Sequence, residues 1–253
     1  MKHAALLEGQ DGPTLYWVAP MYALFDAMCI IGTLGLGVCY VWARALGHVQ
    51  KFCDISDLVV HLPERILFRL NFSLVGGLLA ATAVPIHAVV KARLASSQST
   101  CLPKTAAFFQ VVAGIGVVLV GACGPEEIIA MHILAAAMGF GGAGVSQILY
   151  NSILYKEESA SQSAKKLHRV RCFISFLFLS SAVLLGLGEA NILPEPCEHI
   201  FEWSMWFTLL AWYFTFRWDL ADFSLAGISQ SASVNRAPGC GSSRPRQPRQ
   251  IRA

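Results

Sequence analysis

The stretch HVQKFCDISDLVVHLPERILF, residues 48–68, gathers His48, Cys53, Asp54, Asp57, His61 and Glu64 between two very apolar flanks. Imidazole, thiolate and carboxylate are the ligands of zinc, and a zinc site needs three or four of them, each oriented by a second shell. Cys53, Asp54, Asp57 and His61 are the residues that would supply it. Against that, neither a C-x-x-C nor an H-E-x-x-H spacing occurs anywhere in the chain. A capping role is simpler: Asp54 and Asp57 suit a short turn, and Pro63 followed by Glu64 suits the first turn of a helix, where a carboxylate offsets the dipole. The stretch reads as a polar cap between two helices.

Two further patterns spell chemistry that their context denies. GFGGAG, residues 139–144, fits G-x-G-x-x-G, but phosphate binding needs a preceding strand and an exposed helix N-terminus, and this segment lies inside an apolar run. Its better explanation is packing, since Ala135, Gly139 and Ala143 fall at i, i+4 and i+8 and form a stripe that lets another helix come close. Gly32, Gly35, Gly114 and Gly116 allow similar contacts. A serine nucleophile would call for G-x-S-x-G, which is absent, so Ser73, Ser146 and Ser175 are expected to hydrogen-bond between helices. NFS at 71–73 spells a glycosylation site that falls within a helix. The expectation is a protein without catalysis, metal or cofactor, and nothing points to nucleic acid.

The elements that must position these residues follow from composition. Of 253 residues, 55% are hydrophobic and 14% charged, whereas soluble domains carry about a quarter charged residues; mean hydropathy is +0.53. Six apolar stretches stand out, at 15–42, 66–90, 106–122, 128–153, 172–188 and 200–217. Each is near the roughly 20 residues that cross a hydrocarbon core as a helix, and too long for a barrel strand of about 10. The fold class expected is all-α, a polytopic bundle of six transmembrane helices. It divides into a cytoplasmic N-terminus (1–14), a six-helix domain (15–220) and a basic, structureless cytoplasmic tail (221–253).

Basic residues set the orientation. Fifteen of the 19 lysines and arginines fall on the side of the two termini, against Arg44, Lys51, Arg65 and Arg69 on the other. Both ends are therefore expected in the cytoplasm, and residues 48–68 on the lumenal or extracellular side with GPEE (124–127) and EANILPEPCEH (189–199). If that side oxidises thiols, Cys53 and Cys197 are the first choice for a disulfide. Cys123, like Cys29, Cys39 and Cys172, reads as a small apolar helix residue. Asp26 is the most deeply embedded carboxyl of the first span. On the last span Glu202, beside the interfacial Trp203 and Trp206, could pair with Arg69, the alternative being that each snorkels to water. The tail RPRQPRQIR could hold anionic lipid head groups, the alternative being a solubilising tail that only follows the bias of basic residues to the cytoplasmic side.

At this point the residues resemble a known family. GHVQKFCDISDLVVHLPERILFRLNFS (47–73) is similar to the first loop and second helix of the DRAM proteins, the damage-regulated autophagy modulators, within the wider FRAG/DRAM/SFK membrane family. The shared letters are Gly47-His48-Val49, Phe52, Ile55-Ser56-Asp57, Pro63-Glu64, Phe68 and Asn71-Phe72-Ser73. HRVRCFIS (168–175) resembles the opening of that family's fifth helix. FEWSMWFTLLAWYFTFRWDL (201–220) resembles its sixth, through Glu202-Trp203, Thr215-Phe216 and Asp219. The resemblance implies six helices, no catalysis, lysosomal or other endomembranes, and promotion of autophagy. Sister branches act in GPI-anchor lipid remodelling at the Golgi and in phosphoinositide regulation at the plasma membrane.

The expectation is thus a multi-pass endolysosomal protein that modulates autophagy or lysosome-linked trafficking through contacts with lipids and with protein partners of that machinery. In one version His61 and His199 change charge as the lumen acidifies. The alternative is a lipid-remodelling factor. A transporter would show more polar intramembrane residues and interrupted helices in repeated halves, which the sequence lacks.

Overall fold

The computed structural model describes residues 4–9, 12–17, 21–49, 52–93, 101–157, 162–190 and 192–220. The tail beyond 220 and its expected lipid contacts lie outside them. Two units are distinguished, one holding the N-terminal segment and the other residues 20–222. In the first, β1 (Ala4–Gly9) and β2 (Gly12–Trp17) pair antiparallel, with Ala4 opposite Trp17 and Gly9 opposite Gly12. The hairpin precedes the helical domain and corrects the expectation that the first span starts at residue 15. A two-residue connection flanked by glycines, followed by the strand-favouring Thr14, Tyr16 and Trp17, is a hairpin pattern.

The second unit is helical. Its elements are α1 (Tyr22–Leu46), a 3₁₀ turn (Ser56–Val59), α2 (Glu64–Arg93), α3 (Cys101–Ala122), α4 (Ile129–Ala136), a π-helical turn (Ala137–Gly141), α5 (Gly142–Glu157), α6 (Gln162–Glu189), α7 (Glu195–Phe214) and α8 (Phe216–Leu220). With α4, the wide turn and α5 running on as one rod, the later apolar stretches fall on α2, α3, α4–α5, α6 and α7–α8, and the first falls on α1 from Tyr22 onward. The polar connections are shorter than expected: α6 starts ten residues ahead of its apolar stretch, because Ala164-Lys165-Lys166-Leu167 and the arginines that follow are good helix formers.

Among the described residues five rods are long and apolar enough to cross a membrane, beginning at Tyr22, Glu64, Cys101, Ile129 and Gln162. The rod of α7 falls short of that measure. Its first eight residues include Glu195, Glu198, His199 and Glu202, and three tryptophans and a tyrosine follow, which count as only weakly apolar. On α1 a buried stripe, Met28, Gly32, Leu36, Cys39 and Ala43, is matched on the opposite side by the exposed Ile30, Leu34, Val38 and Val41. A helix apolar on both faces has hydrocarbon outside and protein inside; the molecule is an integral membrane protein.

The rods pack in chain order, α1 on α2, α2 on α3, α3 on α4 and α5, α5 on α6, α6 on α7, with α7 and α8 closing back on α1. Small residues set the closest approaches, as the sequence indicated. A Cβ on Gly76 of α2 would stand 2.5 Å from the Gly114 carbonyl oxygen of α3, and one on Gly114 would stand 2.6 Å from that of Gly76. Likewise a Cβ on Gly116 would lie 2.6 Å from Gly139 Cα, with Ala135 and Ala143 buried on the same stripe. Between α2 and α7, Phe68, Phe72 and Trp206 stack with centroids 4.2 and 4.6 Å apart, and Trp206 Nε1 donates to the Gly32 carbonyl at 3.3 Å. Gln110 Nε2 of α3 donates to Leu79 O and Thr82 Oγ1 of α2 at 3.1 and 2.9 Å.

Gly76→Ala is expected to lower the melting temperature of the detergent-solubilised protein, through overpacking of about 1–3 kcal/mol. Gly77→Ala, next to it but with nothing within 4 Å, is expected to leave it unchanged or raise it, since alanine favours helix over glycine by about 1 kcal/mol.

Candidate functional site

Residues 47–63 leave α1 through Gly47, whose φ of 76° gives a left-handed C-cap that a side chain would strain; its N–H reaches the Ala43 and Arg44 carbonyls. The first residue past that cap, His48, meets the first residue of α2: His48 Nδ1 hydrogen-bonds Glu64 Oε1, and Glu64 is buried. Glu64 thus begins the helix as read from sequence, while its carboxylate is turned to an imidazole. The His61 ring lies 4.8 Å from that of His48. Within the loop the Asp54 N–H donates to Asp57 Oδ2 at 3.2 Å, the short-turn cap anticipated for this pair. Arg65 collects the carbonyls that the 3₁₀ turn leaves open, donating through Nε to Val59 O at 2.8 Å and through Nη2 to Val60 O.

One face of α7 grips the same loop. His199, Glu202 and Trp203, at i, i+3 and i+4, meet three consecutive residues: His199 Nδ1 lies 2.7 Å from Asp54 Oδ1, Glu202 Oε2 accepts the Ile55 N–H at 2.7 Å, and Trp203 Nε1 donates to Cys53 O at 2.9 Å. Tyr40 and Phe52 pack against the Trp203 ring at 6.0 and 5.9 Å. Trp203 is therefore an anchor for the loop, beyond the interfacial role read from sequence.

Two expectations are overturned here. Glu202 does not pair with Arg69: it is taken by Ile55, and Arg69 Nη2 instead reaches both oxygens of Glu127, at 2.6 and 2.7 Å. The loop 124–128 folds back toward the start of α2, where Arg65 also approaches Glu127 at 3.5 Å, so the nearer carboxylate wins. Cys53 and Cys197 are both free thiols. Cys53 is buried, and burial, then the charges of Asp57, Asp54 and Glu202, push its thiol up to about 12. A thiol so held is neither a ready disulfide partner nor a nucleophile, which must be a thiolate. Among the described residues no three of His, Cys, Asp and Glu stand close enough to hold a metal ion.

A second polar cluster occupies the opposite end of the rods. Arg171 of α6, buried, donates from Nε to Thr215 Oγ1 at 2.8 Å and from Nη2 to Thr215 O at 3.1 Å, pairs with Asp219, and lies 4.2 Å over the Phe216 ring. Thr215 is where the helix breaks between α7 and α8, and the guanidinium takes up the carbonyl at that break. Asp219 was read from sequence only through the family resemblance, and Arg171 only as one basic residue of a cytoplasmic connection. The signal for both was present in HRVRCFIS and FTFRWDL, each charged residue embedded in an apolar motif. Asp26 pairs with Arg217 at 3.1 Å, both partly exposed; since α1 begins at Tyr22, this carboxyl sits one turn from the helix end instead of deep in the span. Ser146 and Ser175 bridge helices as anticipated, to Tyr213 at 3.1 Å and Asn151 at 2.9 Å, whereas Ser73 is exposed.

Residues 17–223 match the Frag1/DRAM/Sfk1/Cwh43P N-terminal domain. No curated protein and no solved structure matches the chain.

Burial, then the neighbouring charge of Asp54, hold the Asp57 carboxyl above the ordinary aspartate range. Its charged form is thereby disfavoured in the folded state. The resulting penalty is present near neutral pH and fades as pH falls through the raised folded value toward the unfolded value of about 4. Asp57→Asn keeps an oxygen for the Asp54 N–H and is expected to raise the melting temperature near neutral pH. The gain should shrink on acidification, which thermal unfolding in detergent across that range will read; a lower melting temperature at neutral pH would contradict the assignment.

Proposed function

We propose, for a chain that belongs to the Frag1/DRAM/Sfk1/Cwh43P family, that it is a non-enzymatic endolysosomal membrane protein that modulates autophagy or lysosomal trafficking through its contacts. In this reading the rods cross the membrane six times, both termini face the cytosol, and the loop of residues 47–63 faces the lumen. The excess of lysine and arginine on the side of the termini supports that orientation, even with Arg171 discounted as a buried, paired residue. The basic tail would add contact with anionic lipid on the cytosolic side.

The observation that carries the reading is the pair of imidazole–carboxylate contacts that bracket the loop, His48–Glu64 at one end and His199–Asp54 between loop and α7. Each joins the loop to a helix through a ring nitrogen and a carboxylate oxygen, so the face the loop presents is set by its own polar groups. The Arg69–Glu127 tie adds a further fastening at the same end of the bundle, and the hydrogen bond from Arg69 holds the Glu127 carboxyl below the ordinary glutamate range. A loop fastened in this way offers a defined surface for contacts with lipid or protein.

The test is a tagged copy imaged against lysosome, Golgi and plasma-membrane markers, together with autophagic flux in cells lacking the protein and rescued with wild type or His48→Gln/His199→Gln. Lysosomal placement, reduced flux without the protein, and failure of the double variant to restore it are expected. A Golgi location with altered lipid on GPI-anchored proteins and normal flux would replace this reading by the lipid-remodelling one.

A further inference from the structure

On the inner face of α5, Ala143, Ser146, Gln147, Tyr150, Ile153 and Leu154 are all buried. Three polar groups of this region have no hydrogen-bond partner among the described residues: both amide atoms of Gln147, the Tyr150 hydroxyl, and Trp212 Nε1 of α7. All three side chains are completely enclosed. Gln147 and Tyr150 stand one turn apart on the same helix face, and the Tyr150 and Trp212 rings are 6.2 Å apart. The neighbouring hydroxyls of Ser146 and Tyr213 are already bonded to each other at 3.1 Å. A buried amide, phenol and indole left without partners are costly inside a membrane bundle, where native structures satisfy such groups with protein, water or ligand.

We infer that Gln147, Tyr150 and Trp212 form an internal binding site for an uncharged oxygen group, a hydroxyl or an ester carbonyl, presented by a membrane lipid or by water. The donor inventory sets the chemistry. Trp212 Nε1 and the Gln147 amino group only donate, the Gln147 carbonyl only accepts, and the Tyr150 hydroxyl does either, so the ligand must offer an acceptor, and one that also donates would satisfy the Gln147 carbonyl as well. An uncharged group fits these surroundings: Arg171 is paired with Asp219 and lies over the Phe216 ring, whose centroid is 5.9 Å from that of Tyr150.

The near-isosteric Gln147→Met and the conservative Tyr150→Phe test this in opposite directions. If nothing binds, each removes an unpartnered polar group from an apolar interior and raises the melting temperature; if an oxygen group is bound, each removes a bond and lowers it. We expect a fall of about 2–4 °C or more for each variant, measured by thermal unfolding of the full chain in detergent. A rise in either would overturn the proposal, and Tyr150→Phe, which loses a single atom, carries the test should Gln147→Met not be recovered folded. The two sources separate on delipidation. Adding back phosphatidylcholine, which offers ester carbonyls, should raise the melting temperature of delipidated wild type more than that of Gln147→Met if the ligand is lipid. An equal rise in both, with the variant deficit intact, assigns the site to water.

Discussion

At the crossing of Gly76 and Gly114 the backbones of α2 and α3 stand so near that neither residue has room for a methyl group. In hydrocarbon an apolar side chain gains little by exchanging lipid for another helix, so what holds the bundle is dispersion between closely approaching backbones and the polar links that lipid cannot replace. The helix α3 uses the first device twice, against α2 through Gly76 and Gly114 and against the wide turn Ala137–Gly141 through Gly116 and Gly139. That second contact falls where the helix widens, and the letters that imitate a nucleotide loop are spent on it. Gln110, bridging to Leu79 O and Thr82, then fixes the register of α2 and α3 with the second device.

With the rods so held, the charged groups are sorted to their ends, and α7 connects the two. Its first turns grip residues 53–55 through His199, Glu202 and Trp203, its middle stacks Trp206 on Phe72 while bonding to Gly32 O, and its end breaks at Thr215 under the guanidinium of Arg171. The polar start that leaves α7 less hydrophobic than the other rods is therefore the price of holding the loop. A displacement of loop 47–63 acts directly on α7, since three consecutive loop residues are bonded to it, and through the Phe72–Trp206 stack on α2.

Much of this was legible because lipid imposes a coarse code. Long apolar runs fix the rods, and small residues at four-residue spacing mark their close contacts, so Gly139 and Gly116 were each readable as contact points, while their meeting each other was not. Pairing of charges was not. Glu202 and Arg69 are of opposite sign at one end of the bundle, but which carboxylate reaches Arg69 depends on how residues 124–128 turn back, and that is set by the fold. The disulfide expectation failed similarly: both cysteines belong to the same end, yet Cys53 points into a buried, acidic surrounding. Helix starts were misplaced where hydropathy alone drew them, at residue 15 where a hairpin intervenes and at 172 where a charged but helix-favouring segment precedes the apolar run. Arg171 escaped notice because a basic residue beside an apolar run looks like an orientation signal until its partner, 48 positions away, is known.

The stretch that first suggested a reactive centre can now be weighed group by group. The Cys53 thiol is held protonated and its carbonyl is taken by Trp203; Asp54 faces His199; Asp57 caps the turn; Glu64 faces His48; Arg65 binds the Val59 and Val60 carbonyls. A catalytic group must have an atom left over for substrate, and a nucleophile or base must be able to reach its reactive protonation state. The hydrogen bonds these groups make go to the loop's own backbone and to each other, and Glu64 Oε2 is a buried oxygen left without a partner among the described residues. Histidine and carboxylate recur in the stretch because, paired in this way, they fasten the loop to α2 at one end and to α7 at the other.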